Sequence, residues 1–413
     1  MNVKLEKSEI LGEVIIPPSK SQAHRVMIAS FLAGADFDFG LLGEDVSATK
    51  NCLASLKRLF DGEIDVAELD AGESGSTLRF LLPIVCALGV NAEFVGHGRL
   101  PERPIVELLD VLRAHGANIV GDKLPLKVLA SCSELCLADG GMKAGEYVVK
   151  GNVSSQYITG LLFAIPLLDG DSKIVIDGEL VSKNYVEMTL DVLKDFGVVI
   201  ERLDDGFFVK GNQKFASKRV NIEGDWSSAA FPLSLGLLCG EVKAVNVNEN
   251  SKQADRVFLD LAREMGGDIK RVDGGYIARK SDLNSIEFNA VDCPDIVPIA
   301  SVLLAFANGR SKICGVDRLK QKESDRLKAV RELLAKLGVK TEYRDDTLTI
   351  FGGAEKIESK ETTIDSFADH RIAMSGIVAG LKVGGVEVEG VECIAKSYPT
   401  FIRDIETLGA KVH

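Results

Sequence analysis

The chain has 413 residues, of which 46% are hydrophobic and 27% are charged. This composition is typical of a globular protein. Because the length exceeds what one compact core normally accommodates, we expect two domains, with three as the alternative. The formal net charge of −12 argues against a nucleic-acid or membrane partner, since proteins of those classes usually carry a basic surface.

The sequence predicts neither a secretory signal nor a membrane-spanning segment. The first residues lack an apolar core followed by a cleavage site. The two longest apolar stretches, 158–168 and 296–307, are shorter than a bilayer requires and contain Pro166 and Pro298.

The cysteines favour a reducing compartment. There are eight, and most have apolar neighbours, which is typical of buried thiols. We therefore expect a cytoplasmic protein. Cys132 and Cys136 are the one close pair, but no second pair or nearby histidine could complete four zinc ligands, so we expect no metal site.

A helix followed by a glycine and a strand recurs six times along the chain. In each copy, apolar residues at helical spacing stop at or near a glycine: Gly62, Gly116, Gly197, Gly266, Gly338 or Gly409. This pattern predicts helices that end in a left-handed glycine cap. One such junction is common in α/β proteins, but six at near-even spacing indicate duplication of a whole βα module.

Polar segments precede several of the apolar helices in the first half of the chain. Lys20 and Arg25 lie in segment 17–25, and Gly75 lies among small residues in segment 71–79. A helix N-terminus with nearby cations favours an anion, and small residues let backbone N–H groups approach it. The alternative for each segment alone is an ordinary capped helix. Segment 71–79 is not a P-loop, because no G-K-[ST] follows.

Similar signals follow further along. Arg103 is held between prolines, and the hydroxyl-rich segment 151–157 precedes another apolar helix. The second half has the segments Pro294-Asp295, 318–328 with its run of charges, Asp369-His370-Arg371, and Lys396 after a predicted strand. A solvated helix face is the alternative for the charge run. No H-E-x-x-H, G-x-S-x-G or G-x-G-x-x-G motif occurs.

Taken in order, these segments resemble the EPSP synthase (5-enolpyruvylshikimate 3-phosphate synthase) family. The matching motifs are S-K-S-x-x-x-R, G-x-S-G-S-T-x-R, P-E-R-P, S-S-Q, P-D, K-E-S-D-R, D-H-R and A-K-[ST]-[YF]-P, and they extend from Lys20 to Pro399. The resemblance implies an α/β fold of two similar domains, each built from three βαβαββ repeats (an inverse α/β barrel), with a central interdomain cleft. Residues 18–223 would form one domain, and 1–17 with 224–413 the other.

The resemblance also implies an activity. The family transfers the enolpyruvyl group of phosphoenolpyruvate to the 5-hydroxyl of shikimate 3-phosphate, by addition and elimination with release of phosphate, in aromatic amino-acid biosynthesis. It implies these two small molecules as partners, no metal and no organic cofactor, and a donor pocket that the inhibitor glyphosate also occupies. We expect a monomer.

Carried over motif by motif, the family's functional residues fall on specific positions. The resemblance implies that Asp295 is the general base, Glu323 the general acid, and Lys20 a bridge between the reacting oxygens. Shikimate 3-phosphate would contact Lys20, Ser21, Arg25, Ser154, Ser155, Gln156, Ser182, Asp295 and Lys322, with Tyr185 beside its ring. Phosphoenolpyruvate would contact Lys20, Gly75, Arg103, Gln156, Arg326, Arg371 and Lys396. Arginine suits such substrates because it binds carboxylates and phosphates with two parallel hydrogen bonds.

Two positions depart from the family pattern, and two other functions remain. Glu73 and Arg318 each stand where relatives carry asparagine. UDP-N-acetylglucosamine enolpyruvyl transferases have a lysine–asparagine pair and a reactive loop cysteine, whereas Ser21 follows Lys20 here, and neither Cys86 nor Cys132 lies in a matching loop. A non-enzymatic or RNA-processing protein of the same repeat architecture is disfavoured by the acid, the base and the negative net charge.

Overall fold

A computed structural model describes residues 1–37, 40, 42–130, 141–353, 357 and 361–413. The predicted absence of a metal site at Cys132 and Cys136 therefore falls outside the described residues. The chain divides into two compact units. The N unit is Lys20–Ile222, and the C unit is Met1–Ser19 with Glu223–His413.

Helices and short strands alternate along both units. The described helices are α1 Lys20–Leu32, α2 Glu44–Phe60, α3 Gly75–Leu88, α4 Val106–Ala114, α5 Ser155–Ala164, α6 Lys183–Asp195, α7 Trp226–Cys239, α8 Phe258–Glu264, α9 Val297–Phe306, α10 Arg326–Lys336, α11 His370–Val383 and α12 Phe401–Thr407. The described strands are β1 Asn2–Glu6, β2 Ile10–Ile15, β3 Ala67–Asp70, β4 Ala92–Val95, β5 Ile119–Val120, β6 Leu126–Val128, β7 Glu146–Lys150, β8 Ser172–Asp177, β9 Ile200–Leu203, β10 Gly206–Val209, β11 Gly240–Val245, β12 Asp268–Val272, β13 Gly275–Arg279, β14 Glu287–Asn289, β15 Gly309–Cys314, β16 Lys340–Arg344, β17 Thr347–Gly352, β18 Thr362–Asp365, β19 Val386–Glu389 and β20 Lys411–Val412.

Five βαβαββ repeats share one sheet topology. In each, two parallel strands lie beside an antiparallel hairpin, and one hairpin strand pairs with the second parallel strand. The N unit contains the sheets β3-β4-β6-β5 and β7-β8-β10-β9, and the C unit contains β12-β13-β11-β2, β14-β15-β17-β16 and β18-β19-β1-β20. In the last sheet, β1 takes the place of the final strand, so the start of the chain completes the last repeat. Helices α1 and α2 lie outside these repeats, and no sixth sheet is present in the described residues.

The predicted glycine caps are confirmed. All six repeat glycines have positive φ, from +74° at Gly62 to +100° at Gly409. Residues with a Cβ rarely adopt this conformation, whereas glycine adopts it at little cost. Each helix can therefore end sharply and turn into the next strand.

Each unit has its own hydrophobic core, and the central helices of each core are almost entirely buried. Every residue of α7 and of α9 is buried, and α3, α5 and α11 are nearly so. Their interiors are apolar, so polar and charged side chains concentrate at their N-terminal ends. Among the described cysteines, 52, 86, 239, 293 and 393 are buried free thiols, whereas Cys314 is exposed. Among the described helices, none combines the length and apolar character needed to cross a membrane.

Candidate functional site

In the C unit, charged residues cluster at the starts of three helices. Asp295 lies in the 3-10 turn Pro294–Ile296 that leads into α9. Arg326 is the first residue of α10, and Asp369 caps α11 by accepting a hydrogen bond from the Arg371 backbone N–H at 3.0 Å. Helix N-termini carry partial positive charge and exposed N–H donors, so this cluster favours anions.

Arg326 is the centre of the C-unit cluster. Its side chain is buried, and it donates from Nη1 to Asp295 at 2.6 Å and from Nε to Asp369 at 2.7 Å. Burial alone would lower the pKa of Arg326, but the charges of Asp369, Asp295 and Glu323 outweigh it and raise the pKa. Burial alone would likewise raise the pKa of Asp369, but Arg326 holds it below its usual value. Both groups are therefore charged at neutral pH.

Asp295 lies among three cations. Besides Arg326, it accepts a hydrogen bond from Arg371 Nη2 at 3.1 Å and lies 3.5 Å from Lys322 Nζ. The Asp295 side chain is about one-fifth exposed, with 22% of its area accessible. A partly accessible carboxylate held in this way could accept a proton from a substrate hydroxyl.

Glu323 lies at the edge of the same network. Its Oε1 lies 3.8 Å from Arg326 Nη2, and its Oε2 lies 2.8 Å from Nδ1 of the buried His370. Glu323 Oε2 and His370 Nδ1 are therefore in close contact, but they are not aligned as a hydrogen bond. Glu323, Asp369 and His370 bring three potential ligand atoms within 4.8 Å of one another. Because the positive charge of Arg326 lies 2.7 Å from Asp369 and 3.8 Å from Glu323, this group does not fit a divalent cation well.

Lys396 completes the C-unit cluster. Lys396 is buried and donates to the Ala368 carbonyl at 2.8 Å. Phe367 and Ala368 both have positive φ, of +54° and +52°. Such backbone is costly for non-glycine residues and is often found at functional sites. This backbone conformation places the Ala368 carbonyl, just before the α11 cap, where Lys396 can donate to it.

In the N unit, Lys20 and Arg25 lie on the first two turns of α1. Lys20 Nζ is 2.8 Å from Asp45, which lies in the first turn of α2. Arg25 is buried and donates to the Thr189 hydroxyl and to the carbonyl oxygens of Ser21 and Tyr185. Burial lowers the pKa of Arg25 to about 9, so the side chain remains charged at neutral pH.

Gly75 is packed against two guanidinium groups. A Cβ at this position would stand 2.5 Å from Arg79 Nη1 and 2.9 Å from Arg103 Nη1. Arg79 is held by Gln156 Oε1 at 2.9 Å and by the Pro104 carbonyl at 2.7 Å. The absence of a side chain at Gly75 therefore lets two cations approach the start of α3.

Hydroxyl groups occupy the starts of α5 and α6. Ser154 caps α5 by accepting from the Gln156 N–H at 3.3 Å, and Ser155 is the first helical residue. Ser182 precedes α6 with a φ of +56°. The Tyr185 ring lies 6.0 Å from the Arg25 guanidinium carbon.

The structure thus brings together the predicted residues within each unit. Asp295, Lys322, Arg326, Arg371 and Glu323 form one ion network, whereas Gly75, Arg103 and Gln156 adjoin Arg79.

Sequence reasoning missed several partner groups. These are Asp45, Arg79, Asp369 and His370, of which the last three lie inside the quoted motifs.

The two residues that depart from the family pattern, Glu73 and Arg318, both contact other parts of the chain. Glu73 lies against Gly98, where a Cβ would stand 2.5 Å from its carboxyl carbon. Arg318 donates to the Val291 carbonyl at 3.1 Å.

Comparisons with known proteins identify the family. The family model for EPSP synthase (3-phosphoshikimate 1-carboxyvinyltransferase) matches residues 5–405. A 3-phosphoshikimate 1-carboxyvinyltransferase of Clostridium novyi (strain NT) is 39% identical over 99% of this chain and 97% of its own length. One of Clostridium acetobutylicum is 38% identical over 100% of this chain and 98% of its own length.

Solved structures show the same fold. An EPSP synthase from Acinetobacter baumannii superposes with a TM-score of 0.78 at 22% identity, covering 100% of this chain and 99% of that one. The enolpyruvyl transferase NikO from Streptomyces tendae gives a TM-score of 0.76 at 17% identity, covering 100% of this chain and 98% of that one. With the family model spanning both units and relatives of this identity aligned over nearly their full length, the chain belongs to the EPSP synthase family.

Proposed function

We propose that this chain transfers the enolpyruvyl group of phosphoenolpyruvate to the 5-hydroxyl of shikimate 3-phosphate, with release of phosphate. The observation that carries the proposal is the position of Asp295 and Glu323 beside Arg326. Asp295 accepts from Arg326 and Arg371, and Glu323 lies 3.8 Å from the same guanidinium. Two carboxylates beside buried cations suit proton transfer on an anionic substrate.

Phosphoenolpyruvate would be held by cationic side chains. In the C unit these are Arg326, Arg371 and Lys396, which are all buried. The buried Nε of Arg371 has no hydrogen-bond acceptor among the described residues, so it can donate to a substrate oxygen. In the N unit, the donor would contact Lys20, Gly75, Arg103 and Gln156, of which the last three surround Arg79.

Shikimate 3-phosphate would bind at the hydroxyl-rich helix starts, and the family motifs also assign Lys322 and Asp295 to it. Ser154, Ser155, Gln156 and Ser182 provide donors, and Ser21 adjoins Lys20. Arg25 already donates to Thr189 and to the Ser21 and Tyr185 carbonyls. Arg25 therefore contributes a buried positive charge and positions Ser21 and Tyr185. Tyr185 would lie beside the ring of the substrate.

The proposed chemistry has two stages. In the addition, Asp295 takes the proton of the 5-hydroxyl, whose oxygen attacks C2 of phosphoenolpyruvate, while Glu323 donates a proton to the methylene carbon C3. In the elimination, Glu323, now a carboxylate, takes a proton back from the methyl group as the C2–O bond to phosphate breaks, and the departing phosphate takes up the proton held by Asp295. This restores the enol ether and the starting state of both carboxyl groups. Lys20 would bridge the reacting oxygens. The two carboxyl groups have different surroundings, which can separate their acid and base roles.

One experiment tests the function and its alternative together. Phosphate release from phosphoenolpyruvate is measured alone, with shikimate 3-phosphate and with UDP-N-acetylglucosamine. We expect release with shikimate 3-phosphate only, together with an enol ether product detected by mass spectrometry. Release with the nucleotide sugar, or no release in any arm, would contradict the proposal.

A further inference from the structure

A chain of hydrogen bonds runs through the interior of the N unit, behind the start of α3. His24 Nδ1 lies 2.7 Å from the Thr49 hydroxyl, which in turn lies 2.7 Å from the Thr77 hydroxyl. Thr77 donates to the hydroxyl of Ser74, the cap of α3, at 2.8 Å. All four side chains are buried, and they connect α1, α2 and α3. These four residues form the threonine network.

The threonine network lies one helical turn from Lys20, the residue proposed to bridge the reacting oxygens. On α1, His24 follows Lys20 by four residues, which places both on one face of the helix. On α2, Thr49 follows Asp45 in the same way. The two helices therefore meet at a second pair beside His24 and Thr49, because Lys20 Nζ lies 2.8 Å from Asp45 Oδ2. The Thr77 hydroxyl lies 3.3 Å from the Asp45 carbonyl oxygen, so α3 adjoins the same turn.

The number of available protons fixes the direction of the threonine network. A hydroxyl group has one proton to donate, although it can accept more than one hydrogen bond. Thr77 directs its proton to Ser74, so the hydrogen bond between Thr49 and Thr77 must be donated by Thr49. Thr49 then has no proton left for His24, and the His24 Nδ1–H must donate to Thr49. The donors therefore run in the order His24, Thr49, Thr77.

The second ring nitrogen of His24 agrees with this direction. Burial lowers the pKa of His24 to about 3, so the imidazole is neutral at physiological pH and carries a single proton. Its Nε2 is buried and has no hydrogen-bond partner among the described residues. With the proton on Nδ1, Nε2 carries no N–H group that would need an acceptor.

We infer that Thr49 is a positioning residue for Lys20. Its hydroxyl joins His24 to Thr77 and so fixes the arrangement of α1, α2 and α3 in which Lys20 meets its carboxylate partner. This inference rests on the proposed function, in which Lys20 bridges the reacting oxygens. Without the Thr49 hydroxyl, His24 loses its acceptor and Thr77 loses its donor inside the protein. Buried polar groups without partners are costly, so the three helices would shift to satisfy them.

Two replacements of Thr49 separate the role of its hydroxyl from that of its packing. Thr49→Val keeps the shape and removes the hydroxyl, whereas Thr49→Ser keeps the hydroxyl and removes a methyl group from a fully buried position. We expect kcat/KM for phosphoenolpyruvate to fall about tenfold in Thr49→Val, since a misplacement of about 1 Å can cost roughly 100-fold and the expected shift is smaller. Thr49→Ser should keep most of the wild-type kcat/KM, although the lost methyl group lowers its free energy of unfolding.

Urea unfolding of the same variants separates this role from a purely structural one. A structural role would make the loss of kcat/KM follow the loss of unfolding free energy in both variants. The inference instead requires that Thr49→Val loses more activity than Thr49→Ser, whichever of the two is the less stable. The matched control is Thr363→Val, because Thr363 is exposed on β18, and it should leave activity unchanged.

Nitrogen-15 NMR of the His24 ring tests the network without an activity assay. We expect the wild type to show a protonated Nδ1 and an unprotonated Nε2. In Thr49→Val the Nδ1–H loses its acceptor, so the tautomer with the proton on Nε2 should appear. His24→Asn identifies the ring signals among the five histidines. A wild-type ring protonated on Nε2 would contradict the direction of the network and with it the inference.

The outcomes distinguish this inference from the proposed function. If the wild type releases phosphate as proposed but Thr49→Val keeps the wild-type kcat/KM, the inference is wrong and the function stands. Activity that follows unfolding free energy in both variants would also overturn the inference. If the wild type releases no phosphate with shikimate 3-phosphate, the function itself fails, whereas the His24 ring still reports on the network.

A second pair of variants, Thr77→Val and Thr77→Ser, covers poor folding of Thr49→Val. Thr77→Val breaks the network at its next link, because Thr49 loses its acceptor and Ser74 loses its donor. We expect the same contrast as at position 49, with the larger loss of kcat/KM in the valine variant. Equal activity of the two Thr77 variants would contradict the inference.

Discussion

Arg326 donates to Asp295 across 2.6 Å from a fully buried position. The same guanidinium donates from Nε to Asp369 at 2.7 Å. One planar side chain therefore fixes the proposed base and the cap of α11 together. This relationship makes Arg326 more sensitive to replacement than an isolated surface arginine would be.

Arg326→Lys tests this double contact. Lysine keeps the charge but cannot reproduce the forked guanidinium, so Asp369 or Asp295 loses one of its hydrogen bonds inside the protein. An unmade buried hydrogen bond typically costs about 1–3 kcal/mol, so we expect the free energy of unfolding to fall by that amount. The KM for phosphoenolpyruvate should rise about tenfold, because the proposed donor site loses its guanidinium.

The control for this variant is Arg331→Lys, since Arg331 is exposed on the same helix. Steady-state kinetics and urea unfolding of both variants check the prediction. A wild-type KM in Arg326→Lys would remove Arg326 from the donor site.

Glu323→Gln tests the proposed proton donor. The amide keeps the shape beside His370 but has no acidic proton, so substrate affinity should persist while turnover falls. General acid–base catalysis is typically worth about 10²–10⁴-fold, and we expect kcat to drop within that range. The exposed Glu332→Gln on α10 is the matched control. Near-normal turnover of Glu323→Gln would assign the donor role elsewhere.

The sequence predicts local features well, because their physical causes are local. The six repeat glycines could be identified because a left-handed helix end needs glycine, and all six have positive φ. The starts of α5 and α10 could be identified because each apolar run follows polar residues, and both starts carry side-chain caps. The family motifs therefore predict which helix starts carry the charges.

Pairings between distant residues could not be predicted in the same way. Lys20 pairs with Asp45, 25 residues away, and Arg326 pairs with Asp369, 43 residues away. In a chain with 61 acidic residues, nothing local indicates which carboxylate meets a given cation. The buried partners Asp45 and Asp369 emerge only when the helices are packed in three dimensions.

A buried histidine should make the stability of the protein fall as the pH is lowered. His24 is enclosed on α1, with Nδ1 at 2.7 Å from the Thr49 hydroxyl, and burial lowers its pKa to about 3. Below pH 6.5, His24 gains a proton in the unfolded chain but stays neutral in the folded protein. Each pH unit between about 6.5 and 3 should therefore cost about 1.4 kcal/mol of stability.

We expect His24→Asn to reduce the pH dependence of unfolding by that slope. Urea unfolding at pH 7, 5 and 4 measures it, with the exposed His413→Asn as the control. An unchanged slope in His24→Asn would mean that another group controls the acid sensitivity.

Gly75→Ala tests the close approach of two cations to the start of α3. The new methyl carbon would stand 2.5 Å from Arg79 Nη1 and 2.9 Å from Arg103 Nη1. Arg79 cannot move freely, because Gln156 and the Pro104 carbonyl hold both of its terminal nitrogens. Overpacking a tight site typically costs about 1–3 kcal/mol, which corresponds to roughly 5- to 150-fold in affinity.

The affinity loss should be larger for glyphosate, which the family resemblance predicts to occupy the donor pocket, because the inhibitor is longer than phosphoenolpyruvate. The measurement is the inhibition constant for glyphosate divided by the KM for phosphoenolpyruvate, and we expect this ratio to rise in Gly75→Ala. Gly141→Ala is the matched control, since a Cβ there meets no atom of the described residues within 4 Å. If the ratio stays at its wild-type value, or if the wild type is already insensitive to glyphosate, Gly75 does not line the donor pocket.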